Sequence, residues 1–457
     1  MSDYATDPLD LLGDDAVPLR CVGEVPAEHA ALARAQGFEA KPGQSMAVFD
    51  GEGRVAEALA GAPRDGAFDA LSLGAAARAL PEATYRPEGP EGEWDADAAA
   101  LGFLLGGYDH ARYRKAAERR ARLAWPQGAD PERVERIARA VYLARDLVNT
   151  PANDLGPDGI EMAARGVAER GRAQVAVTAG DDLRDPFPMI HAVGRASANA
   201  PRLIDMAWGG DGHPRVTLVG KGVAFDTGGL NIKPGSSMAL MKKDMGGAAC
   251  VLALAQAVMD AKLPVRLRVL VPAVENAIAG NSFRPGDVLR SRKGTTVEIG
   301  NTDAEGRLIL ADALALADED EPDLLVDMAT LTGAARVALG PDLPPLFTED
   351  DAFAEAVAAA GRDVADPVWR MPLWAPYNGL MKSRIADVSH INTSGAGFAG
   401  AITAALFLQR FVERAATWAH LDVFCWVPEA KPHAPPGGEG QAVRALLEVL
   451  ERRYPSA

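Results

Sequence analysis

Cysteine is scarce in this sequence. Only three of the 457 residues are cysteines, Cys21, Cys250 and Cys425, and none forms a CxxC pair. An odd number of widely spaced cysteines argues against a disulfide framework and favours a reducing compartment. The first fifteen residues, MSDYATDPLDLLGDD, are acidic and lack the basic and apolar regions of a signal peptide. We therefore expect a cytoplasmic protein.

Several catalytic motifs are also missing. The seven histidines form no HExxH pair, and neither a GxSxG segment nor a GxxxxGK[ST] loop occurs. These absences argue against a histidine-ligated zinc protease, a serine hydrolase with a nucleophile elbow and a P-loop nucleotidase. No uninterrupted apolar run is long enough to cross a bilayer, so we expect no membrane partner.

Positive charge is in deficit. The chain has 63 acidic residues against 47 Lys and Arg, which gives a net charge of -16. Such a balance argues against general affinity for nucleic acid or anionic membranes. One local basic run, DHARYRKAAERRARLAW at residues 109–125, is interpreted as a solvated helix face. We therefore consider nucleic acid an improbable partner.

The length of the chain indicates two domains. Residues 1–125 read as a smaller N-terminal α/β domain, in which SMAVFDGEGRVAEALAG predicts a strand, a glycine-containing turn and then a return strand or the start of a helix. Asp130 followed by Pro131 predicts the start of a connecting helix. One face of this helix is apolar and consists of Val134, Ile137, Ala138, Val141, Tyr142 and Ala144. Residues 126–457 are then the linker helix and a larger catalytic domain.

From residue 202 onward, short apolar strands alternate with helical segments. RVTLVG, PVRLRVLVPAVEN, TTVEIG and DLLVDMATL read as strands, and GGAACVLALAQAVMDA and GRLILADALALADED read as helices. This alternation predicts an α/β fold with a mostly parallel central sheet flanked by helices. Sites in such sheets lie beyond the carboxyl ends of the strands.

Charged residues recur at those predicted strand ends. The group consists of Lys221, Asp226, Lys233, Asp244, Asp303, Glu305 and Arg307. Four carboxylates would match the charge of two divalent cations, which commonly act together in hydrolases. In an extended segment Asp303 and Glu305 would point the same way and reach one metal cluster. Each motif taken singly is more often structural, and their recurrence is what favours a metal site.

Two blocks of the sequence resemble the signature segments of the leucyl aminopeptidases, the M17 family of two-metal exopeptidases. These blocks are VGKGVAFDTGGLNIKPGSSMALMKKDMGGAA and NTDAEGRLILADAL. Shorter matches, among them RDLVNTPAN, TLTGAA and WAHLD, extend the resemblance from about residue 145 to residue 422. The first 125 residues match only weakly.

The resemblance implies a role for each charged residue. Asp226 and Glu305 would bridge two divalent ions, Mn²⁺ or Zn²⁺, with Asp303 completing one metal site. Lys221, as a neutral amine, and Asp244 would complete the other. Lys233 would face the substrate carbonyl and stabilise the oxyanion, and Arg307 would hold a bicarbonate ion that acts as the base. Peptides would be the substrates, and the enzyme would release their N-terminal residue.

The resemblance also places the substrate pocket and one departure from the family pattern. Met241, Thr330, Leu331 and Gly333 match pocket positions. Phe424 stands in VFCWV where the family commonly has a small residue, so preference for leucine is in question. The family further implies a homohexamer and a macro-domain-like N-terminal domain with an oligomeric or regulatory role.

Two other functions remain open at this point. Phosphoryl chemistry on the same two metals is one, although the sequence shows no phosphate-binding loop. An inactive or moonlighting oligomeric scaffold of the same fold is the other. The complete set of charged positions argues against lost activity.

Overall fold

The computed structural model describes residues 6–63, 69–89, 94–115, 120–395 and 397–456. They form two compact units. One is drawn from residues 5–142 and 427–437, and the other from residues 143–426 and 438–457. The border between them falls inside one long helix, and the domain limits expected from the sequence remain a prediction.

The N-terminal unit contains a five-stranded sheet. Its strands are β1 (Ala16–Val22), β2 (Ser45–Phe49), β3 (Val55–Gly61), β4 (Thr84–Glu88) and β5 (Arg122–Leu123). They lie in the order β2-β3-β1-β4-β5, and only β2 is antiparallel to its neighbour. The β2–β3 turn forms because Asp50 Oδ1 accepts the amides of Glu52 and Arg54 and Gly53 has a φ of 78°. The predicted strand–turn–strand is therefore correct.

Three helices accompany this sheet: α1 (Ala30–Gln36), α2 (Gly74–Ala79) and α3 (Ala96–Gly106). Asp95 caps α3 by accepting the amide of Ala98. The interpretation of residues 109–125 as a helix face is wrong for the described part. Residues 109–115 form no helix, residues 120–125 contain β5, and residues 116–119 lie outside the described residues.

A long helix, α4 (Pro131–Asn149), begins at the predicted proline. Proline is suited to the first helical turn because its missing amide has no helical partner there. The expected apolar face is buried, including Val134, Ile137 and Val141. The pattern of apolar residues therefore predicted both the helix and its buried side.

The catalytic unit is built around nine strands in one sheet. They are β6 (Gln174–Ala179), β7 (Arg202–Trp208), β8 (Arg215–Gly220), β9 (Gly222–Asp226), β10 (Arg266–Asn276), β13 (Leu324–Ala329), β14 (Pro345–Phe347), β15 (Trp369–Arg370) and β17 (Trp418–Asp422). The order is β15-β14-β17-β13-β8-β10-β7-β6, and β9 pairs with β10. Pairings among β17, β13, β8, β10 and β9 are parallel, whereas β7 and β14 run antiparallel. The expected mostly parallel sheet is confirmed.

Shorter strands lie outside this sheet: β11 (Val288–Arg290), β12 (Thr296–Glu298), β16 (Val388–Ser389), β18 (Trp426–Val427) and β19 (Gly437–Gly438). β12 pairs with β11 and β16 in a small separate sheet. TTVEIG is thus a strand, but it is not a strand of the central sheet as expected.

Helices flank the central sheet. They are α5 (Pro157–Gly171), α6 (Pro188–Gly194), α7 (Gly235–Met238), α8 (Gly246–Asp260), α9 (Glu305–Glu319), α10 (Gly333–Leu339), α11 (Asp351–Asp363), α12 (Gly400–Gln409) and α13 (Val443–Arg453). α8 and α9 are buried along nearly their whole length. Among the described residues, no helix combines the length and the apolarity that crossing a bilayer requires.

Candidate metal centre and active site

A cavity of about 410 Å³ opens where the parallel strands of the catalytic unit end. Ten of the twelve residues singled out from the sequence line it: Lys221, Asp226, Lys233, Met241, Asp244, Asp303, Thr330, Leu331, Gly333 and Phe424. Glu305 and Arg307 are buried but do not line the cavity. The expected position of the site, at the carboxyl ends of the strands, agrees with this geometry.

Asp226 is the last residue of β9, and its side chain is fixed from two sides. Its Oδ1 accepts hydrogen bonds from the amide of Gly228 at 2.9 Å and from Asn276 Nδ2 at 2.8 Å. Gly228 has a φ of 86°, which allows the chain to turn back over the carboxylate. One oxygen of Asp226 is thereby held, and Oδ2 is directed to Lys233 Nζ at 2.8 Å.

Asp244 lies on a short 3-10 helix, Met241–Met245, that leads into α8. Its Oδ1 accepts a hydrogen bond from Thr330 Oγ1 at 2.8 Å, and its Oδ2 lies 2.7 Å from Lys221 Nζ. Lys221 Nζ also donates to the Thr330 carbonyl at 2.9 Å. Residues following two neighbouring strands, β8 and β13, therefore hold one carboxylate between them.

Asp303 and Glu305 are not in an extended segment, so the predicted geometry of this pair is wrong. Thr302–Ala304 is a 3-10 turn, and Glu305 is the first residue of α9. Glu305 joins Asp226 and Asp244 in a cluster whose ligand oxygens all lie within 4.8 Å of one another. Asp303 instead lies across Lys233, with its Oδ1 at 2.6 Å from Lys233 Nζ.

We call Asp226, Asp244, Asp303 and Glu305 the carboxylate cluster. Two lysines lie among its four acids, Lys221 between Asp244 and Glu305 and Lys233 between Asp226 and Asp303. Burial lowers the pKa of Lys221, but the neighbouring carboxylates outweigh it and the net pKa is raised. The pKa of Glu305 is raised to about 8, first by burial and then by Asp226.

The donor set of this cluster fits divalent cations. Oδ2 of Asp244, Oε1 of Glu305 and Oδ1 of Asp303 are buried and lie 2.7, 3.0 and 2.6 Å from a lysine ammonium. Oε2 of Glu305 is buried and has neither a hydrogen-bond nor an ion-pair partner among the described residues. Two lysine charges do not balance four carboxylates, and buried carboxylates normally pair with cations or coordinate metals. Hard divalent metals prefer such oxygen ligands.

Arg307 is buried on α9, and its Nη1 donates to the carbonyl of His390 at 2.7 Å. Its Nε donates to no acceptor among the described residues. Burial lowers the pKa of Arg307 to about 10, although Asp422 and Glu305 oppose this effect. The guanidinium therefore remains a cation at neutral pH, with donor capacity for a small planar anion.

Part of the cavity wall is cationic and aromatic. The Phe424 ring lines the cavity with Lys243 Nζ 4.9 Å from its centroid and Arg336 Cζ also 4.9 Å from it. Lys243, Phe424 and Arg336 are hereafter the cationic end. The ring faces the cavity rather than turning into the core.

Sequence reasoning missed several residues that shape this site. Asn276 orients Asp226, and Asp422 accepts the amides of Leu331 and Thr332. His390 is buried, its Nε2 lies 2.9 Å from the Asn301 carbonyl oxygen, and its own carbonyl accepts a hydrogen bond from Arg307. Asn276 and Asp422 each end a strand of the central sheet, which is the signal that could have found them.

Models of two protein domains match the chain. Residues 142–447 match the catalytic domain of the cytosol aminopeptidase family, and residues 8–126 match the M17 aminopeptidase N-terminal domain. The weak resemblance noted for the first 125 residues is therefore a real relationship.

Individual relatives agree. A "Probable cytosol aminopeptidase" of Geobacter sp. is 41% identical over 82% of this chain and 78% of the relative. One from Roseiflexus castenholzii is 42% identical over 77% of this chain and 76% of the relative.

Solved structures extend the match to the fold. The cytosol aminopeptidase from Coxiella burnetii shares 44% identity, with a TM-score of 0.91 over 97% of this chain and 98% of that one. A bottromycin maturation enzyme, BotP, in complex with Mn shares 37% identity, with a TM-score of 0.85 over 96% of this chain and 98% of that one. With the buried carboxylate cluster, these matches show that the chain belongs to the M17 cytosol aminopeptidase family of metal-dependent peptide hydrolases.

Proposed function

We propose that this protein is a two-metal aminopeptidase that releases the N-terminal residue of peptides. The observation that carries the proposal is the carboxylate cluster: Asp226, Asp244 and Glu305 are buried with ligand oxygens within 4.8 Å of one another, and Glu305 Oε2 has no partner among the described residues. Asp226 and Glu305 would bridge the metals. Asp303 would complete one site, and Asp244 with Lys221 the other.

Lys221 must lose its proton to act as a ligand. At pH 7 this costs about 4–5 kcal/mol from a reference pKa of about 10.4. Without metal, the Lys221 ammonium lies between Asp244 and Glu305 and balances part of their negative charge. Bound metals would reverse the local field that keeps the proton on Lys221.

The chain's own residues position the reaction. Lys233 lies at the cavity wall between Asp226 and Asp303 and remains charged, so it would stabilise the oxyanion that develops on the scissile carbonyl. Arg307 would hold bicarbonate through its unused Nε, and that ion would supply the base. When bound, the metals supply Lewis-acid polarisation of the carbonyl and a more acidic water.

Substrate residues would lie in the cavity beside Met241, Thr330, Leu331, Gly333 and Phe424. Phe424 projects into this space, so we propose a weaker preference for leucine than the family name implies. Slender first residues such as Ala or Met would gain relative to branched ones.

The test is metal-dependent release of free amino acids from a panel of aminoacyl amides. We expect cleavage with Mn²⁺ or Zn²⁺, loss of cleavage on chelation and recovery when the metal is restored. Full activity in metal-free protein would contradict the proposal. Failure to cleave any amide or small peptide with any divalent metal would instead favour the scaffold alternative.

We also propose a cytoplasmic homohexamer, as the family resemblance implies. Light scattering at low micromolar concentration should give the mass of six chains, and an active monomer would contradict this.

A further inference from the structure

The cations of the cavity fall into two classes. Lys221 and Lys233 each contact two carboxylates at 3.0 Å or less. Lys243 and Arg336 also line the cavity, but neither has a carboxylate within 4.0 Å among the described residues. Lys243 Nζ and Arg336 Cζ each lie 4.9 Å from the centroid of the Phe424 ring.

The placement of Lys243 is unusual. Only 4% of the residue is exposed, and buried lysines are normally paired with an acid. Asp422, the remaining acid that lines the cavity, is already engaged by the amides of Leu331 and Thr332 and by the Thr332 hydroxyl. Among the described residues, Lys243 and Arg336 therefore have no carboxylate partner within 4.0 Å, and Phe424 offers only the weaker attraction of its ring face.

The shape of this end suits an amphipathic anion. The Phe424 ring can pack against methylene groups, while Lys243 on one side and the exposed Arg336 at the rim can donate to a carboxylate. Charge-assisted hydrogen bonds are stronger than a cation on a ring face, so a carboxylate would compete successfully for both groups.

We propose that the cationic end binds the side-chain carboxylate of an N-terminal glutamate or aspartate, so that acidic first residues are substrates. The inference rests on the proposed aminopeptidase function, and it assigns Lys243 and Arg336 as the residues that determine specificity. It does not require branched residues to be excluded.

The experiment compares Glu-amide with Gln-amide, which have nearly the same shape and differ in charge. Glu-amide has no carboxylate apart from the one on its side chain, and Gln-amide has none. We expect kcat/KM for Glu-amide to exceed that for Gln-amide by about tenfold, which corresponds to 1.4 kcal/mol. Added salt should reduce the ratio, because screening weakens charge pairing most at the exposed rim.

Variants locate the effect. Lys243→Met should bring the Glu-to-Gln ratio close to one, and Arg336→Gln should lower it less, because Arg336 is exposed. Arg336→Lys keeps the charge and should retain most of the ratio. Arg362→Gln, an exposed arginine of α11 that does not line the cavity, is the matched control and should leave the ratio unchanged. The ratio cancels any general loss of activity caused by a change next to Asp244.

The outcomes separate the two proposals. Cleavage of both amides at equal rates by the native enzyme, or a Glu preference that survives the Lys243→Met and Arg336→Gln double variant, overturns this inference alone. No cleavage of any amide by the metal-loaded native enzyme overturns the proposed function, and this inference with it.

Discussion

The two ends of the cavity solve the problem of buried charge differently. In the carboxylate cluster, each of the two lysines lies between two acids, and Glu305 Oε2 still has no partner among the described residues. At the cationic end, Lys243 and Arg336 face an aromatic ring and have no ion-pair partner among the described residues. The four acids of the carboxylate cluster outnumber its two lysines, whereas the cationic end contains two cations and no acid. This difference indicates that the first end receives cations and the second an anionic part of the substrate.

The largest effect should come from breaking the carboxylate cluster. Asp303→Ala should lower kcat/KM by about a thousandfold or more, because a lost ligand removes metal-based stabilisation worth several kcal/mol. Bound metal, measured by elemental analysis, should fall in parallel, while circular dichroism should show a retained fold. Asp185→Ala, an exposed acid outside the cavity, is the control and should behave as the native protein does. Native metal content and native activity in Asp303→Ala would remove Asp303 from the site.

Lys233→Met tests the lysine that lies between Asp226 and Asp303 in the carboxylate cluster. We expect kcat to fall about 10²–10³-fold with KM little changed, as when an oxyanion donor is removed. The metal content should be retained, which distinguishes this variant from Asp303→Ala. An exposed lysine changed in the same way, Lys262→Met, should have no effect. If Lys233→Met mainly raises KM, the residue binds substrate and does not stabilise the transition state.

Sequence reasoning reached the two ends unequally. It found the carboxylate cluster because the charged residues recur in glycine-containing segments after apolar strands, and because NTDAEGRL is a specific motif. Of the cationic end it found only Phe424 and neither of the two cations. Lys243 reads as part of a polar MKKD run, and Arg336 reads as an exposed helix residue. Only the folded chain brings α10, the segment before α8 and the segment after β17 around one ring.

Fold predictions succeeded where the pattern was local and failed where pairing was long-range. The starts of α4 and α8 follow directly from the positions of proline and glycine, and apolar periodicity predicts that α4, α8 and α9 are helices. The separate sheet of β12 depends on its pairing with β16, some ninety residues later, which no local pattern reveals. The helical start at Glu305 was missed because alternating acids also suit an extended segment.

Phe424→Ala tests the aromatic member of the cationic end. Removing the ring enlarges the space beside Met241 and Thr330, so the ratio of kcat/KM for Leu-amide to that for Ala-amide should rise about tenfold. The metal content should be unaffected. An unchanged ratio would mean that the ring does not shape the pocket for the first residue, and the two-metal proposal would stand.

The smallest predicted effect concerns His390, whose carbonyl accepts a hydrogen bond from Arg307. Burial, together with the nearby Arg307, lowers the pKa of His390 to about 4. In the unfolded chain the pKa of His390 is about 6.5, so acidification protonates the unfolded chain first. The contribution of neutral His390 to the free energy of unfolding is therefore fully present above pH 6.5 and is lost as the pH falls towards 4. Between pH 6.5 and 5.5 the loss should be about 1 kcal/mol.

Chemical denaturation of the native protein and of His390→Gln at these two pH values measures that contribution. The native protein should lose more unfolding free energy than the variant over this interval. Equal losses would show that His390 is protonated to the same extent in the folded and unfolded chains.

Gly306 has a consequence for how this chain can change. A Cβ at this position would lie 2.6 Å from Lys221 Cε, so the second residue of α9 must be bare for the lysine to reach Asp244 and Glu305. Replacing helical glycine with alanine is a common route to thermostability, because it restricts the unfolded chain. Here the same replacement would displace Lys221 from its place between two acids. Variants selected only for heat resistance should therefore include alanine at position 306, whereas variants selected for peptide cleavage should not. At this position, stability and activity favour different residues.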